Sequence, residues 1–303
     1  NDKSVDPVDV PCTKFLPLDE FGCPADGEFS YPSVVGQLNY LQGHSRPDIT
    51  MATSQCARYV HNPKRSHELA LIQIGRYLKG TLDKGIILKP IDAESLRTDV
   101  YVDAAFACGW GTELGTNPDS VKSRTGYIVN IANCPVIWVS KLQSTVATST
   151  MESEYTAMSM AMRSVVPLLA VIESVSGGLQ YMKHKLLTFK ATVHEDNQGA
   201  LILAKLEDGR HTPRSKFYAI KLHWFRSWLK PQAIEVTFIP TLPYEIASSQ
   251  SLSTQQGNVY GMVVMSSFSL NDFRSRGSIK AFSWRNSEAS VSLTIYLQNS
   301  NLL

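Results

Sequence analysis

The stretch Thr98-Asp99-Val100-Tyr101-Val102-Asp103-Ala104-Ala105-Phe106-Ala107 decides how the rest of the chain is read. It is an apolar strand with a carboxylate in the middle. A lone charge in such a strand is costly to bury without a partner, so Asp103 is a ligand candidate. Two further carboxylates stand in comparable settings. Glu154 lies early in the helical stretch Ser149-Thr150-Met151-Glu152-Ser153-Glu154-Tyr155-Thr156-Ala157-Met158. Asp196 ends a second strand, Ala191-Thr192-Val193-His194-Glu195-Asp196, just before the helix opening Asn197-Gln198-Gly199-Ala200-Leu201. Side by side, the three would form a dense anionic site that only divalent metal could neutralise. Oxygen-only ligands suit Mg²⁺ or Mn²⁺. Two such ions about 4 Å apart activate a water and stabilise the leaving oxygen of a phosphodiester.

The elements around these residues follow from local signals. Residues 98–105, 125–131 and 135–141 read as sequential strands, with Asn133 and Pro135 marking the second turn. A helix starts at Ser149, and Glu152 three residues on completes a capping box. Pro167 is expected to interrupt that helix, and a second helix to end at Gly177-Gly178. Residues 190–195 are strand four, a short helix follows Gln198, an aromatic helix covers roughly 214–229, and Ile234–Ile239 is strand five. Upstream, residues 1–30 read as an extended lead-in, and helical patterning begins at Tyr31. Pro47 suits a first helical position with Asp48 at the positive helix end. A helix from about Ser66 carries Leu71, Ile74 and Leu78 on one face, with Gly80 as terminator. Gly85–Pro90 reads as a short strand.

The order strand-Asp, helix-Glu, strand-Asp resembles the ribonuclease H superfamily. The segment Trp138-Val139-Ser140-Lys141-Leu142-Gln143-Ser144-Thr145-Val146-Ala147, continuing to Glu154-Tyr155, resembles the "W-S-S-K-K-Q-x-T-V-A" stretch of copia-type retrotransposon polyproteins. Glu195-Asp196-Asn197-Gln198-Gly199-Ala200 resembles their "D-N-Q-S-A", and Ser215 to Arg226 their "S-K-H-I-A-I-K-Y-H-F-I-R". Tyr31 to Gly80 is similar to the end of the reverse transcriptase, without its metal-binding "Y-V-D-D" strand. The resemblance covers roughly residues 1–241.

It implies an α/β fold: a ribonuclease H-like mixed five-stranded sheet flanked by helices, preceded by a small, mainly helical thumb/connection region. Residues 1–95 would be that region, 96–241 the ribonuclease H-like domain, and 242–303 a divergent tail of low order. The tail contains fourteen serines and has no match to the family. The resemblance selects Glu154 over Glu152, whose task is the cap, and Asp196 over Glu195, which alternation puts on the opposite strand face. Asp103, Glu154 and Asp196 would be the catalytic metal ligands, holding two Mg²⁺ or Mn²⁺ ions. The expected reaction is cleavage of the RNA strand of an RNA–DNA hybrid, told apart by its 2′-hydroxyl. After Phe238-Ile239-Pro240-Thr241 the family continues to an Asp, but Ala247 and Ser248 stand there. That departure implies impaired activity, or a remnant that only binds nucleic acid or serves as a structural module.

Net charge of +2 and 43% hydrophobic residues say little about nucleic acid, but residues 205–230 hold seven Lys/Arg against Glu207 and Asp208. Lys216, Lys221 and Arg226, interleaved with aromatics, are the expected phosphate contacts; the bland alternative is an amphipathic helix. His194 and His223 read as packed or hydrogen-bonded residues rather than ligands. Five scattered cysteines with no C-x-x-C pair fit a reducing compartment. The polar start lacks a signal-peptide core, and no apolar run is expected to reach membrane-span length. The expected setting is intracellular, in a cytoplasmic particle or the nucleus, with the hybrid and the rest of the polyprotein as partners and no membrane.

Overall fold

A computed structural model describes residues 6–90, 95–110, 117–183, 188–207, 210, 219–229 and 234–239. Near the N-terminus, helix α1 (Tyr31–His44) leads through a 3₁₀ turn (Pro47–Ile49) into α2 (Thr50–Ala57), and α3 (Arg65–Lys79) follows. Pro47 occupies the first turn, as expected. Asp48 accepts from the Arg46 guanidinium and the Tyr77 hydroxyl, both at 2.7 Å, which ties the turn to α3. Val35, Leu38, Ile49, Ala52, Leu71 and Ile74 close a core of their own. Gly80 ends α3, and a Cβ there would come 2.8 Å from Pro7 Cβ. The strand expected at Gly85–Pro90 is not formed; that segment is irregular, with no partner strand among the described residues.

Strands β1 (Ser95–Ala105), β2 (Arg124–Ile131) and β3 (Cys134–Leu142) pair antiparallel, and β4 (Thr188–Glu195) and β5 (Ile234–Phe238) continue the sheet in parallel. The order is β3-β2-β1-β4-β5, the mixed five-stranded arrangement of a ribonuclease H-like fold. Ala132 and Asn133 take positive φ of 48° and 72° between β2 and β3, a two-residue turn where Asn is favoured.

Helix α4 (Thr150–Lys183) connects β3 to β4, and α5 (Gln198–Lys205) and α6 (Ala219–Leu229) lie between β4 and β5. The interruption expected at Pro167 does not occur: α4 is a single helix of 34 residues with Pro167 inside it. An interior proline costs about 3 kcal/mol. Against that, Tyr155, Met158, Met162 and Val165 are fully buried beside Val100, Val102, Val129 and Val193. At roughly 1.5–3 kcal/mol for each large apolar side chain, sheet packing outweighs the lost bond. The same apolarity amends another expectation. Thr150–Val175 is long and apolar enough to cross a membrane by length and composition, although one face of this helix packs on the sheet.

The second face of β2 and β3 is covered by the N-terminal helices. The Trp138 indole donates to Gln42 O at 2.7 Å, and Arg124 donates to Ser54 Oγ at 3.1 Å.

Candidate metal centre

The site forms where two neighbouring strands part. β1 and β4 pair in parallel as far as Tyr101↔His194. β1 then continues alongside β2 while β4 ends, so Asp103 and Asp196 each lie two residues past that last pair. A crevice at the carboxyl ends of strands is the usual place for a ligand in such sheets.

The third group comes from α4, whose start is fixed by local bonds. Ser149 Oγ accepts from Glu152 N at 3.2 Å, and the Glu152 carboxylate accepts from Thr148 N and Thr148 Oγ1, both at 2.8 Å. Glu152 is thus committed to the cap. The buried amide of Gln143 donates to Thr125 Oγ1 at 3.0 Å and Ser153 O at 2.9 Å, pinning this first turn to the sheet. Glu154 then points into the crevice, and ligand oxygens of Asp103, Glu154 and Asp196 all lie within 4.8 Å of one another. On the other side, Asn197 Oδ1 accepts from Ala200 N at 3.0 Å and starts α5 directly after Asp196.

Burial, and then the charges of Asp103, Glu195 and Asp196, push the Glu154 carboxyl up to about 11. Glu195 rises to about 9, first through burial and further through Asp196 and Asp103, with the Asn197 N–H opposing. Glu195 Oε1 accepts that N–H at 3.1 Å. One oxygen of each, Glu154 Oε2 and Glu195 Oε2, is buried with no hydrogen-bond partner. A set of buried carboxylate oxygens that binds protons far above the normal range fits a hard divalent cation, which would replace those protons.

Glu195, set aside in the sequence in favour of Asp196, is a fourth carboxylate beside the site. Alternation put it on the far strand face, but β4 is an interior strand covered on that face too, and Glu195 is fully buried. Gln143 stands within a family motif, but its bridging position between strand and helix is not legible in the sequence.

The basic residues divide. Lys221 Nζ lies 3.2 Å from Thr156 Oγ1 and 3.5 Å from Thr145 Oγ1, beside the first turns of α4. Its burial lowers the ammonium pKa, with Glu152 opposing. Arg226 differs from the exposed phosphate contact expected. It is buried, and donates to the carbonyls of Leu203, Glu207 and Arg210 at 2.6, 3.3 and 2.9 Å, tying α6 to the end of α5. Lys216 lies outside the described residues, as do Ala247, Ser248 and the tail 242–303. His194 bridges Asp99 at 2.8 Å and Thr237 at 3.1 Å and stacks on Tyr101, a packed, hydrogen-bonded histidine. His223 is exposed. All five cysteines are free thiols.

No protein-family model matches the chain. The chain is similar to the RNase H1 of the halophilic archaeon Halobacterium salinarum, with 14% identity and a TM-score of 0.28 over 48% of this chain and 86% of that one. At that score the likeness carries no argument, and the fold rests on the strand order. Sequence relatives are more informative. The retrovirus-related Pol polyprotein from transposon TNT 1-94 of Nicotiana tabacum is 29% identical over 248 residues, 80% of this chain and 17% of that polyprotein. The one from transposon RE1 of Arabidopsis thaliana is 33% identical over 211 residues, 70% of this chain and 13% of its own length. The chain thus spans less than a fifth of the polyproteins it matches. Similar over 70–80% of its length to these polyproteins and built on a ribonuclease H-like sheet, the chain belongs to the family of copia-type retrotransposon Pol polyproteins.

Proposed function

We propose that the chain is the ribonuclease H module of a copia-type reverse transcriptase, hydrolysing the RNA strand of an RNA–DNA hybrid. The observation that supports this most is the convergence of Asp103, Glu154 and Asp196 within 4.8 Å. These carboxylates would hold two Mg²⁺ or Mn²⁺ ions. The ions, when bound, activate water and offset charge on the leaving oxygen. The protein's part is to keep three anions at one crevice, to hold Glu154 in place through the Glu152 cap and the Gln143 bridge, and to set Lys221 where a substrate phosphate would pass. Residues 1–95 correspond to the thumb/connection end of the polymerase and 96–241 to the nuclease. The partners are the hybrid and the rest of the polyprotein, in an intracellular particle or the nucleus.

The test is cleavage of a hybrid labelled in each strand, with Mg²⁺ or Mn²⁺. Cutting of the RNA strand alone, abolished by Asp103→Asn, is the expected result. With Ala247 and Ser248 in place of the family's Asp, the rate should be down about a hundredfold, ~2.7 kcal/mol, and Ser248→Asp or Ala247→Asp should recover part of it. Those two positions also favour a second reading, a remnant that binds hybrid without cutting it. Tight hybrid binding with no cleavage by any of these proteins would establish the remnant.

A further inference from the structure

β1 leaves the sheet just beyond the carboxylate crevice. Its last paired residue is Ala105, opposite Arg124, so Phe106 is the first residue past the ladder and the third past Asp103. Three extended residues span at most about 11 Å, and one nucleotide advances about 3.4 Å along a duplex strand. Phe106 therefore stands within about three nucleotides of a phosphate held in the crevice. The turn that follows closes with the Trp110 N–H donating to Ala107 O at 2.9 Å, which keeps its two ends within about 7 Å. Both aromatics are exposed, Phe106 by 41% and Trp110 by 65%.

The backbone between the two rings is pinned by its neighbours. The Ala107 N–H donates to Ser123 Oγ at 3.2 Å, and the Cys108 thiol donates to Lys122 O at 3.6 Å. Gly109 packs so closely that a Cβ there would come 2.9 Å from Ser120 O and 3.0 Å from Phe15 Cε1. Ala107 has a φ of 45°. A residue with a Cβ takes that left-handed conformation at a cost, and keeps it only where the surrounding contacts dictate it; such residues gather at ligand-binding sites. A ring carried on a pinned backbone has little conformational freedom left to lose when it binds.

We propose that Phe106 and Trp110 are substrate-binding residues, two rigid rings that pack against the sugar and base edges of the hybrid on the nucleotides beside the cleaved phosphate. This inference rests on the nuclease reading of the crevice. A duplex with A-form character presents sugars and base edges in a wide, shallow minor groove that a ring can enter. The contact is apolar and complements the phosphate contact of Lys221. It steadies the strand over Asp103 without touching the reacting atoms.

The experiment is binding of a fluorescently labelled RNA–DNA hybrid by the full chain in Mg²⁺, read by anisotropy across a salt series, with Asp103→Asn in every protein to prevent cleavage. Phe106→Ala and Trp110→Ala should each weaken binding about tenfold at every salt concentration. The salt slope should not change, because an apolar contact releases no counterion. Phe106→Tyr and Trp110→Phe keep a ring and should bind within about twofold of the parent. Undiminished binding by both alanine variants overturns the proposal and leaves the nuclease reading standing. A loss accompanied by a flatter salt slope also overturns it, since the contact is then with phosphate. So does an equal loss in the ring-preserving variants, which assigns the effect to the turn and not to the rings. No hybrid binding by the parent at low salt overturns this proposal and the nuclease reading together.

Discussion

Replacing Glu154 by Gln should make the metal-free protein more stable at neutral pH. The native carboxyl is held up to about 11 by burial and by Asp103, Glu195 and Asp196, against an ordinary value of 4.5. Burial is the largest cause, and Coulomb repulsion adds to it. Charging Glu154 with Asp103 and Asp196 both within 4.8 Å costs ~3.5 kcal/mol per pair at an effective dielectric of about 20. At neutral pH the native state therefore keeps a proton that the unfolded chain has released. Stability from this group is complete below pH 4.5 and falls as pH rises toward the native value. Between pH 4.5 and 7 the loss is ~3 kcal/mol at 1.36 kcal/mol per unit. That figure depends only on the native value lying above 7. Gln has no proton to lose. Urea unfolding in chelator should therefore show Glu154→Gln level with wild type near pH 4.5 and ~3 kcal/mol more stable at pH 7. Added Mn²⁺ should stabilise the wild type, which exchanges its proton for the cation, and leave Glu154→Gln nearly unchanged. Parallel stability–pH curves for the two proteins in chelator would refute the reasoning, as would an undiminished Mn²⁺ response in the variant.

Four other outcomes are expected. Glu68 is buried, which would raise its pKa, but the N–H groups of Asp26 and Gly27 and the Arg65 guanidinium outweigh this and hold it below the usual range. Its contribution is present above about pH 4.5 and lost as pH falls, so Glu68→Gln should cost ~2 kcal/mol at pH 7 in urea unfolding and less at pH 3. Pro167→Ala should restore an α4 backbone hydrogen bond and stabilise by ~1–3 kcal/mol, a higher melting temperature with unchanged hybrid affinity. Lys221→Ala should weaken hybrid binding and flatten its salt dependence by about one unit. Arg226→Ala should instead lower stability by ~2 kcal/mol through three orphaned carbonyls, with the salt slope of binding retained.

Much of this architecture was legible because period and punctuation agreed. Alternating apolar residues marked β1 through β5, and Asn133 and Ser149 marked where turn and helix begin. Pro167 misled because local propensity was weighed without the buried face of α4, an interaction with strands remote in sequence. Gly85–Pro90 misled in the opposite way: its residues suit a strand, but a strand needs a neighbour. The three carboxylates could be named from their local settings and family motifs. Their mutual distance could not be read, since it depends on where β1 and β4 part. Nor could the burial of Glu195, since strand alternation identifies a face but not what covers it. Arg226 shows the same limit for cations, because one arginine serves a phosphate or a helix end depending on which carbonyls pack beside it.

The docking of the helical unit against β2 and β3 bears on how this polypeptide can be divided. A cut near residue 95, ahead of β1, looks harmless along the chain. In space it would unroof half a sheet: Ile128 is 2% exposed, the Trp138 indole would lose Gln42 O, and Arg124 would lose Ser54. A sheet domain excised at that point would carry a fresh apolar wall with an open arginine in its midst. The N-terminal helical unit is in this respect a lid grown onto the sheet, and a trimmed version would need those surfaces redesigned before it could stay in solution alone.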